Sequence, residues 1–200
     1  MTQKILIATT NAGKFREFQA LFDGFPFVCQ MPIELGIHLE VEESGLSYLE
    51  NAILKAKAYA ELVEIPVLAD DTGLEVDALG GAPGLHSARY SPVAGASDAD
   101  RRVKLLGALV GIPKPWKAVF RCVVAVSLPH QAIETFTGSV VGEIIESESG
   151  DHGFGYDRIF WIPQAGKTMA DLDMEEKNMV SHRAMAVKQA IIFLLDNLKK

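Results

Sequence analysis

Apolar residues along this chain follow two rhythms, and their order predicts the architecture. Lys4 to Ala8 is a short run rich in β-branched residues that ends in small and polar ones, so it reads as a strand feeding a turn. From Gly13 the phenylalanines at 15, 18 and 22 recur at helical spacing and predict a helix with one apolar face. The stretch from Pro26 to Glu42 is irregular, with a second strand expected near Phe27 to Gln30. Ser47 followed by Glu50 is a capping box, and Leu49, Ala52, Ile53, Ala56, Ala60 and Val63 continue as one helical stripe. Asn51 and Lys55 sit one turn apart on its flank, where they can point together. Pro66 marks the end of that helical region, and Val67 to Ala69 reads as a buried strand.

The residues GLEVDALGGAPG that follow are turn-rich and predict a surface hairpin or loop. Ser97 and Asp100 open a third helix that runs to about Val110. Trp116 to Leu128 predicts a long strand, and Ala132 to Glu146 one or two more. A last helix is expected from Ser181 to Leu198, with Ala184, Val187, Ile191, Leu194 and Leu198 on its core face. Strands and helices interleave without repeats or linkers. The expected class is therefore α/β, a mixed twisted sheet with flanking helices, in a single domain over residues 1–200.

Composition narrows the function. The 200 residues are 48% hydrophobic and 22% charged, ordinary usage for a globular chain. A formal charge of −7 disfavours a duplex-binding surface, because non-specific DNA affinity comes from Lys and Arg on phosphates. A small phosphorylated ligand needs only a few cations placed locally. The two cysteines, Cys29 and Cys122, have no CxxC or zinc spacing, and Cys122 lies among valines as a small buried hydrophobe. The N-terminal apolar run is too short for a signal peptide, and no stretch approaches the roughly 20 apolar residues of a membrane span. A cytoplasmic protein with neither nucleic acid nor membrane as partner is expected.

Five constellations carry possible chemistry. In ATTNAGK, residues 8–14, a strand ends in small and polar residues and opens a helix, which exposes N–H groups at a positive dipole end. Lys14 adds a cation and Thr9, Thr10 and Asn11 add donors, so Thr9, Thr10, Asn11, Ala12, Gly13 and Lys14 form a candidate triphosphate cradle. It is not a P-loop, since Phe15 stands where a Ser or Thr would hold magnesium. An ordinary strand–helix turn is the alternative. Asp70 and Asp71 lie at the end of the LAD strand and, as consecutive strand residues, point to opposite faces. One would hold Mg²⁺ or activate water and the other would tie down the scaffold; a capping or turn pair is the alternative.

Glu42 and Glu43 precede Ser44–Gly45 and the Asn51/Lys55 helix, and could share its site or form a solvated loop. GFGYD, residues 153–157, offers an aromatic stacking platform and a carboxylate, Asp157, that can accept from base N–H groups. A buried aromatic corner would use the same residues. Last, EEKNMVSHR, residues 175–183, puts His182 and Arg183 at the start of a helix, where cations oppose the dipole. Something must compensate them, and an electron-rich ligand atom would do so.

The order ATTNAGK, EESG, ENAILKA, LADDTGLEVDALGGAPG, SARY, GFGYD and EEKNMVSHR resembles the inosine triphosphate pyrophosphatases, also described as dITP/XTP pyrophosphatases. The resemblance runs from about Lys4 to Leu198. It implies two lobes around a central nucleotide-binding cleft, usually in a homodimer. The implied reaction is release of pyrophosphate from ITP, dITP and XTP with Mg²⁺, which keeps such nucleotides out of DNA and RNA. By position in the motifs, Thr9 to Lys14 would bind the triphosphate with help from Lys55. Glu43 and Asp71 would serve the metal, with Asp70 beside them, and Asp71 would also accept the proton. Thr72, Phe154, Gly155, Tyr156, Asp157, Lys177, His182 and Arg183 would contact the nucleotide. This chain departs from the family's pattern at Arg158, where proline is usual, at Asp151–His152, and at Thr72, where serine is common.

Those assignments imply a mechanism. Asp71 would orient or deprotonate the water that attacks the α-phosphorus, while Lys14 and Lys55 stabilise charge on the departing pyrophosphate. Donors from His182 and Arg183 would pair with the purine 6-oxygen and be left facing N–H groups with ATP. Three rivals remain at this level. A pyrimidine triphosphate pyrophosphatase is opposed by the His182–Arg183 pair. A nucleotide sensor without turnover is opposed by the acidic set. A P-loop phosphohydrolase is opposed by the missing glycine and Ser/Thr.

Overall fold

The computed structural model describes residues 2–198. The alternating segments form strands β1 (Gln3–Ile7), β2 (Phe27–Gln30), β3 (Val67–Val76), β4 (Pro83–Gly84), β5 (Trp116–Ser127), β6 (Glu134–Ile144), β7 (Phe160–Ile162) and β8 (Lys167–Thr168). The helical segments form α1 (Ala12–Phe22), α2 (Tyr48–Ala60), α3 (Asp98–Leu109), α4 (Met174–Val180) and α5 (His182–Asn197). The strands make one mixed, open sheet in the order β2-β1-β3-β5-β6-β7-β8, with β4 on β3. β1 lies parallel to both β2 and β3, and β7 runs antiparallel to β6 and β8. Among the described residues no helix is long and apolar enough to cross a membrane.

Several boundaries differ from the sequence reading, each for a local reason. β3 does not stop at Ala69: apolar Leu74 and Val76 keep the strand alternation going, so Asp70 and Asp71 lie inside a ten-residue strand. The GLEVDALGGAPG segment is thus half strand, closed into a hairpin by the pairing of Leu74 with Gly84 and Glu75 with Pro83. α2 ends at Ala60, before Pro66. Its cap is also looser than a full box: the Ser47 hydroxyl accepts from the Glu50 N–H, but the Glu50 carboxylate accepts from Leu46. α4 was not expected. It has only seven residues, opened by a complete capping box between Asp173 and Glu176, and it ends at Ser181, the extended residue immediately before α5.

The chain forms two compact units, the first from residues up to Asp71, Cys122–Gly138 and Arg183 onward, the second from Thr72–Arg121 and Ser139–His182. The first is a three-layer α/β/α sandwich, and strand parity assigns its faces. Ile5, Ile7, Leu68, Cys122, Val124 and Val126 pack with Phe15 and Phe18 of α1 and with Ala184, Val187 and Ile191 of α5. Their strand neighbours Leu6, Ala8, Val67, Ala69, Val123 and Ala125 pack with Ala52, Ala56 and Tyr59 of α2. Apart from Asp70, Asp71 and Ser127, the buried strand residues described here are apolar on both sides, as expected of a sheet covered on both faces. The second unit has its own core, in which Leu105 and Leu109 of α3 pack with Leu74, Val76, Trp116, Phe160 and Ile162.

Both cysteines are thiols, and Cys122 is buried in the first core as expected. Cys29 packs at the edge of that core, and burial pushes its thiol up to about 12. Thiolate is the reactive form, so at pH 8 Cys29 holds on the order of 10³-fold less of it than an ordinary cysteine. Iodoacetamide labelling followed by mass spectrometry should show both thiols inert in the native protein at pH 8. The rate should climb with each pH unit, and both should react fully in guanidinium.

Candidate functional site

In the first unit, the parity that builds the sandwich also separates the two aspartates. Asp70 shares the face of Leu68, toward α1 and α5, and Asp71 shares the face of Val67 and Ala69, toward α2. Asp70 is 2% exposed. Its Oδ2 lies 3.0 Å from Lys14 Nζ of α1 and accepts from Arg183 Nη2 of α5 at 3.1 Å and Nε at 3.3 Å. The third guanidinium nitrogen, Nη1, donates to Glu17, one turn beyond Lys14 on α1. Burial alone would raise the Asp70 carboxyl, but Lys14, Arg183 and Lys55 outweigh it and hold Asp70 well below the usual carboxylate range. The helix start that places Arg183 against the dipole is therefore neutralised by Asp70 and Glu17.

On the α2 face, Asp71 Oδ2 accepts from Asn51 Nδ2 at 3.0 Å. The Asn51 carbonyl in turn accepts from the Gly45 N–H at 2.8 Å, which fixes the amide's orientation. A Cβ on Gly45 would sit 2.6 Å from that oxygen, so the turn after Glu43–Ser44 requires glycine. Lys55 Nζ lies 2.6 Å from Glu43 and 3.8 Å from Asp71, one ammonium shared by two carboxylates. Burial pushes the Asp71 carboxyl above its ordinary value, with Glu43 adding to it against Lys55 and Asn51. The Lys55 ammonium is raised because Asp70, Asp71 and Glu43 together exceed its burial. Among the described residues, no group of three or more His, Cys, Asp or Glu gathers in metal-ligating geometry. The acids come as a pair, Glu43 and Asp71.

The ATTNAGK turn is partly self-occupied. Asn11 caps α1, its carbonyl accepting from the Gly13 and Lys14 N–H groups at 2.8 and 3.0 Å, and Thr9 Oγ1 accepts from the Asn11 N–H. Asn11 thus spends its carbonyl on the start of α1. Thr10, Asn11 and Ala12 are exposed, and Thr9, Gly13 and Lys14 are half-buried.

In the second unit, Asp157 is 5% exposed and Lys177 is 3% exposed. Their pair closes at 2.6 Å, and the same Asp157 oxygen accepts from the Phe154 N–H at 2.9 Å. Lys177 Nζ also stands over the Phe154 ring at 5.5 Å. A Cβ on Gly153 would approach that oxygen to 2.1 Å, so the loop can close on Asp157 only with glycine there. Tyr156 is part of the core, its hydroxyl donating to the Ser87 carbonyl at 2.9 Å. It is the buried aromatic of this loop, which leaves Phe154 as the candidate platform. His182 is buried and stacks on Phe120, with ring centroids 4.7 Å apart and planes within 10°. Thr72 follows Asp71 on β3 and is half-buried.

Residues 5–193 match the model of the Ham1 family. The chain belongs to the Ham1 family. A dITP/XTP pyrophosphatase from Listeria monocytogenes is 46% identical over 187 residues, which cover 93% of this chain and 92% of that protein. Among solved structures, the Ham1 protein of Staphylococcus aureus is 41% identical with a TM-score of 0.84, covering 97% of this chain and 99% of the other. A HAM1 protein from Coxiella burnetii gives 37% identity and a TM-score of 0.85, with 98% and 100% covered.

The sequence reading of this Ham1-family chain missed Glu17 and Phe120. Glu17 sits on the apolar face of α1 between Phe15 and Phe18, so its place in the phenylalanine rhythm was the available signal. Phe120 carried none, being one apolar residue in a long strand.

Asp70 is the charge on which Lys14 and Arg183 both depend. Replacing one member of a buried ion pair leaves the rest uncompensated, at a cost of about 3–5 kcal/mol. Asp70→Asn is expected to lose that much in urea unfolding at pH 7. Because the folded Asp70 titrates below its unfolded value, its contribution is complete above about pH 4 and declines as the pH falls further. The gap between variant and parent should therefore narrow in acid.

Proposed function

We propose that this Ham1-family chain hydrolyses non-standard purine nucleoside triphosphates, namely ITP, dITP and XTP, to the monophosphate and pyrophosphate. The observation that carries the reading is the contrast between adjacent aspartates: Asp70 paired through Oδ2 with Lys14 and Arg183, and Asp71 accepting from the Asn51 amide and linked to Glu43 through Lys55. The first is a counter-ion built into the scaffold. The second is a carboxylate whose burial favours the protonated form, which suits a proton acceptor. We therefore assign Asp70 to scaffold charge and restrict the metal set to Glu43 and Asp71.

The donor set fits Mg²⁺. Two carboxylates already share one cation, the Lys55 ammonium, and Mg²⁺ is bound by one or two protein carboxylates with waters and phosphate oxygens completing its shell. Bound there, the metal would supply positive charge to phosphate oxygens during cleavage. The protein's own part is separable. Asn51, locked by Gly45, orients Asp71 toward an attacking water, and Asp71 takes its proton as the oxygen bonds to the α-phosphorus. The bond from that phosphorus to the bridging oxygen breaks, and pyrophosphate leaves. Lys14 and Lys55 stabilise its charge, with Thr9, Thr10 and the start of α1 holding the phosphates.

In the second unit, Phe154 supplies the stacking face and Lys177, His182 and Asp157 supply polar edges for a purine. His182, or Lys177 from its pair with Asp157, would donate to the 6-oxygen of hypoxanthine or xanthine. With adenine the same donors would meet an amino group, a mismatch worth roughly 10⁴-fold in discrimination. Arg183 is committed to Asp70 and Glu17, so we assign it to anchoring α5 rather than to the base. The proposal includes a cytoplasmic homodimer, for which sedimentation is the check.

Purified protein with Mg²⁺ and a panel of ITP, XTP, dITP, GTP, ATP and dUTP tests the reading. Pyrophosphate with IMP, XMP or dIMP is expected, with little ATP turnover; orthophosphate, or binding without release, would overturn it. Asp71→Asn should lose at least 10²-fold in kcat with a small change in KM, whereas near-parental turnover would remove Asp71 from the chemistry.

A further inference from the structure

Both backbone groups of Gly155, the residue after Phe154, end on side chains of α3. Its N–H donates to Asp98 Oδ2 at 2.7 Å, and its carbonyl accepts from Arg102 Nη1 at 2.8 Å. Asp98 and Arg102 are one turn apart on the same helix. Each is held in turn. Asp98 pairs with Arg101, and the Arg102 guanidinium makes a two-point bond to Glu148, Nε to Oε1 at 2.7 Å and Nη2 to Oε2 at 3.0 Å.

Glu148 stands at the front of the glycine-rich loop and Arg158 at its back. Arg158 lies 3.6 Å from Glu148 and 3.0 Å from Asp151, so the loop's two ends are also joined by charge. All of these residues lie in the second unit. The arrangement is directed: two side chains of a regular helix grip one peptide on each side, next to the aromatic face. A loop with three glycines in six residues, 150 to 155, has little stiffness of its own.

We propose that Asp98 and Arg102 are positioning residues that fix the Phe154 loop for purine stacking, and so set affinity for the base without touching the reacting atoms. This rests on the proposed nucleotide activity. Asp157 and Lys177 hold the loop from within; Asp98 and Arg102 hold it from α3. Either grip alone leaves Phe154 free to tilt, because Gly155 can rotate about the remaining one. Loosening the outer grip costs stacking geometry and leaves Asp71, Lys14 and Lys55 as they were. Small misplacements of groups that orient a substrate commonly cost up to 10²-fold.

The test uses three variants of the full chain: Asp98→Ala, Asp98→Asn, which keeps an oxygen to accept from Gly155, and Glu148→Gln, which weakens the hold on Arg102. Asp98 is half-buried and Glu148 partly exposed, so all three are expected to fold. Two readouts are taken. Amide hydrogen exchange resolved at Gly155 reports the grip itself, and KM against kcat with ITP reports its consequence.

The expected result is faster exchange at Gly155 in Asp98→Ala, with KM raised roughly tenfold and kcat within about twofold of the parent. Glu148→Gln should shift both in the same direction by less, and Asp98→Asn should restore both. Unchanged exchange in Asp98→Ala would overturn the grip. Faster exchange with unchanged KM would overturn its role in base binding, as would equal losses in kcat and kcat/KM. If the parent protein turns over none of the panel, the nucleotide reading falls and the base role with it, while exchange at Gly155 still decides whether α3 holds the loop.

Discussion

A carboxylate in the middle of an inner strand, with helices packed over it, is tolerated only if cations are delivered to it. Desolvating one charge costs several kcal/mol, and a single partner rarely offsets that. Asp70 has two, Lys14 from α1 and Arg183 from α5, and the second is itself balanced by Glu17. This chain of charges constrains the rest of the first unit. It ties the first turns of α1 and α5 to one position on β3, on the face where Ile5, Ile7 and Leu68 also pack both helices. It also answers an electrostatic conflict, since both cations stand in the first turn of a helix, where a positive charge is disfavoured.

The neighbouring residue inherits the opposite environment from nothing more than strand parity. Asp71 faces α2, which contributes one amide and one ammonium, and that ammonium is divided with Glu43. So two aspartates one peptide apart differ in proton affinity in opposite directions: cations hold Asp70 below the ordinary range, and burial lifts Asp71 above it. A group that must pick up a proton cannot be the one that two cations hold ionised. The proposed division of labour between scaffold and chemistry therefore follows from which helices cover which face.

Parity was also what made this site readable. Consecutive acids on a strand must point apart, and Asn51 and Lys55 one helical turn apart must point together. Those two rules, applied to residues alone, anticipate the α2 side of the arrangement. They fail for the α1 and α5 side because Glu17 lies 166 positions from Arg183 along the chain, and no local period can report such a pairing. The start of α5 was read as an electrostatic misfit that a ligand would relieve; the misfit is real, and the relief comes from within the protein. The end of β3 was misjudged for a different reason. Polar Asp70–Asp71–Thr72 interrupts the apolar run, and the strand continues through it because β3 is an inner strand of the sheet and pairs with β4 beyond the interruption. The short α4 was missed because seven residues show too little of a helical period.

The two halves of the candidate machinery rest on supports of different kinds. The groups proposed to bind phosphate and metal come mainly from a buried strand and two helix faces, where backbone geometry already restricts each side chain. The aromatic platform is on a glycine-rich loop, which has no such restriction and must take its position from side chains that hold the backbone. Asp157 does so from inside, by accepting from Phe154, and Asp98 and Arg102 do so from α3 through Gly155. In the proposed function, the chemistry common to all triphosphates is thereby built into strand and helix, and the discrimination among bases is left to a segment whose shape depends on a few charged contacts. The bonds described for the α2 face, from Asn51 to Asp71 and from Lys55 to Glu43, are made within the first unit, and those that hold the loop are made within the second.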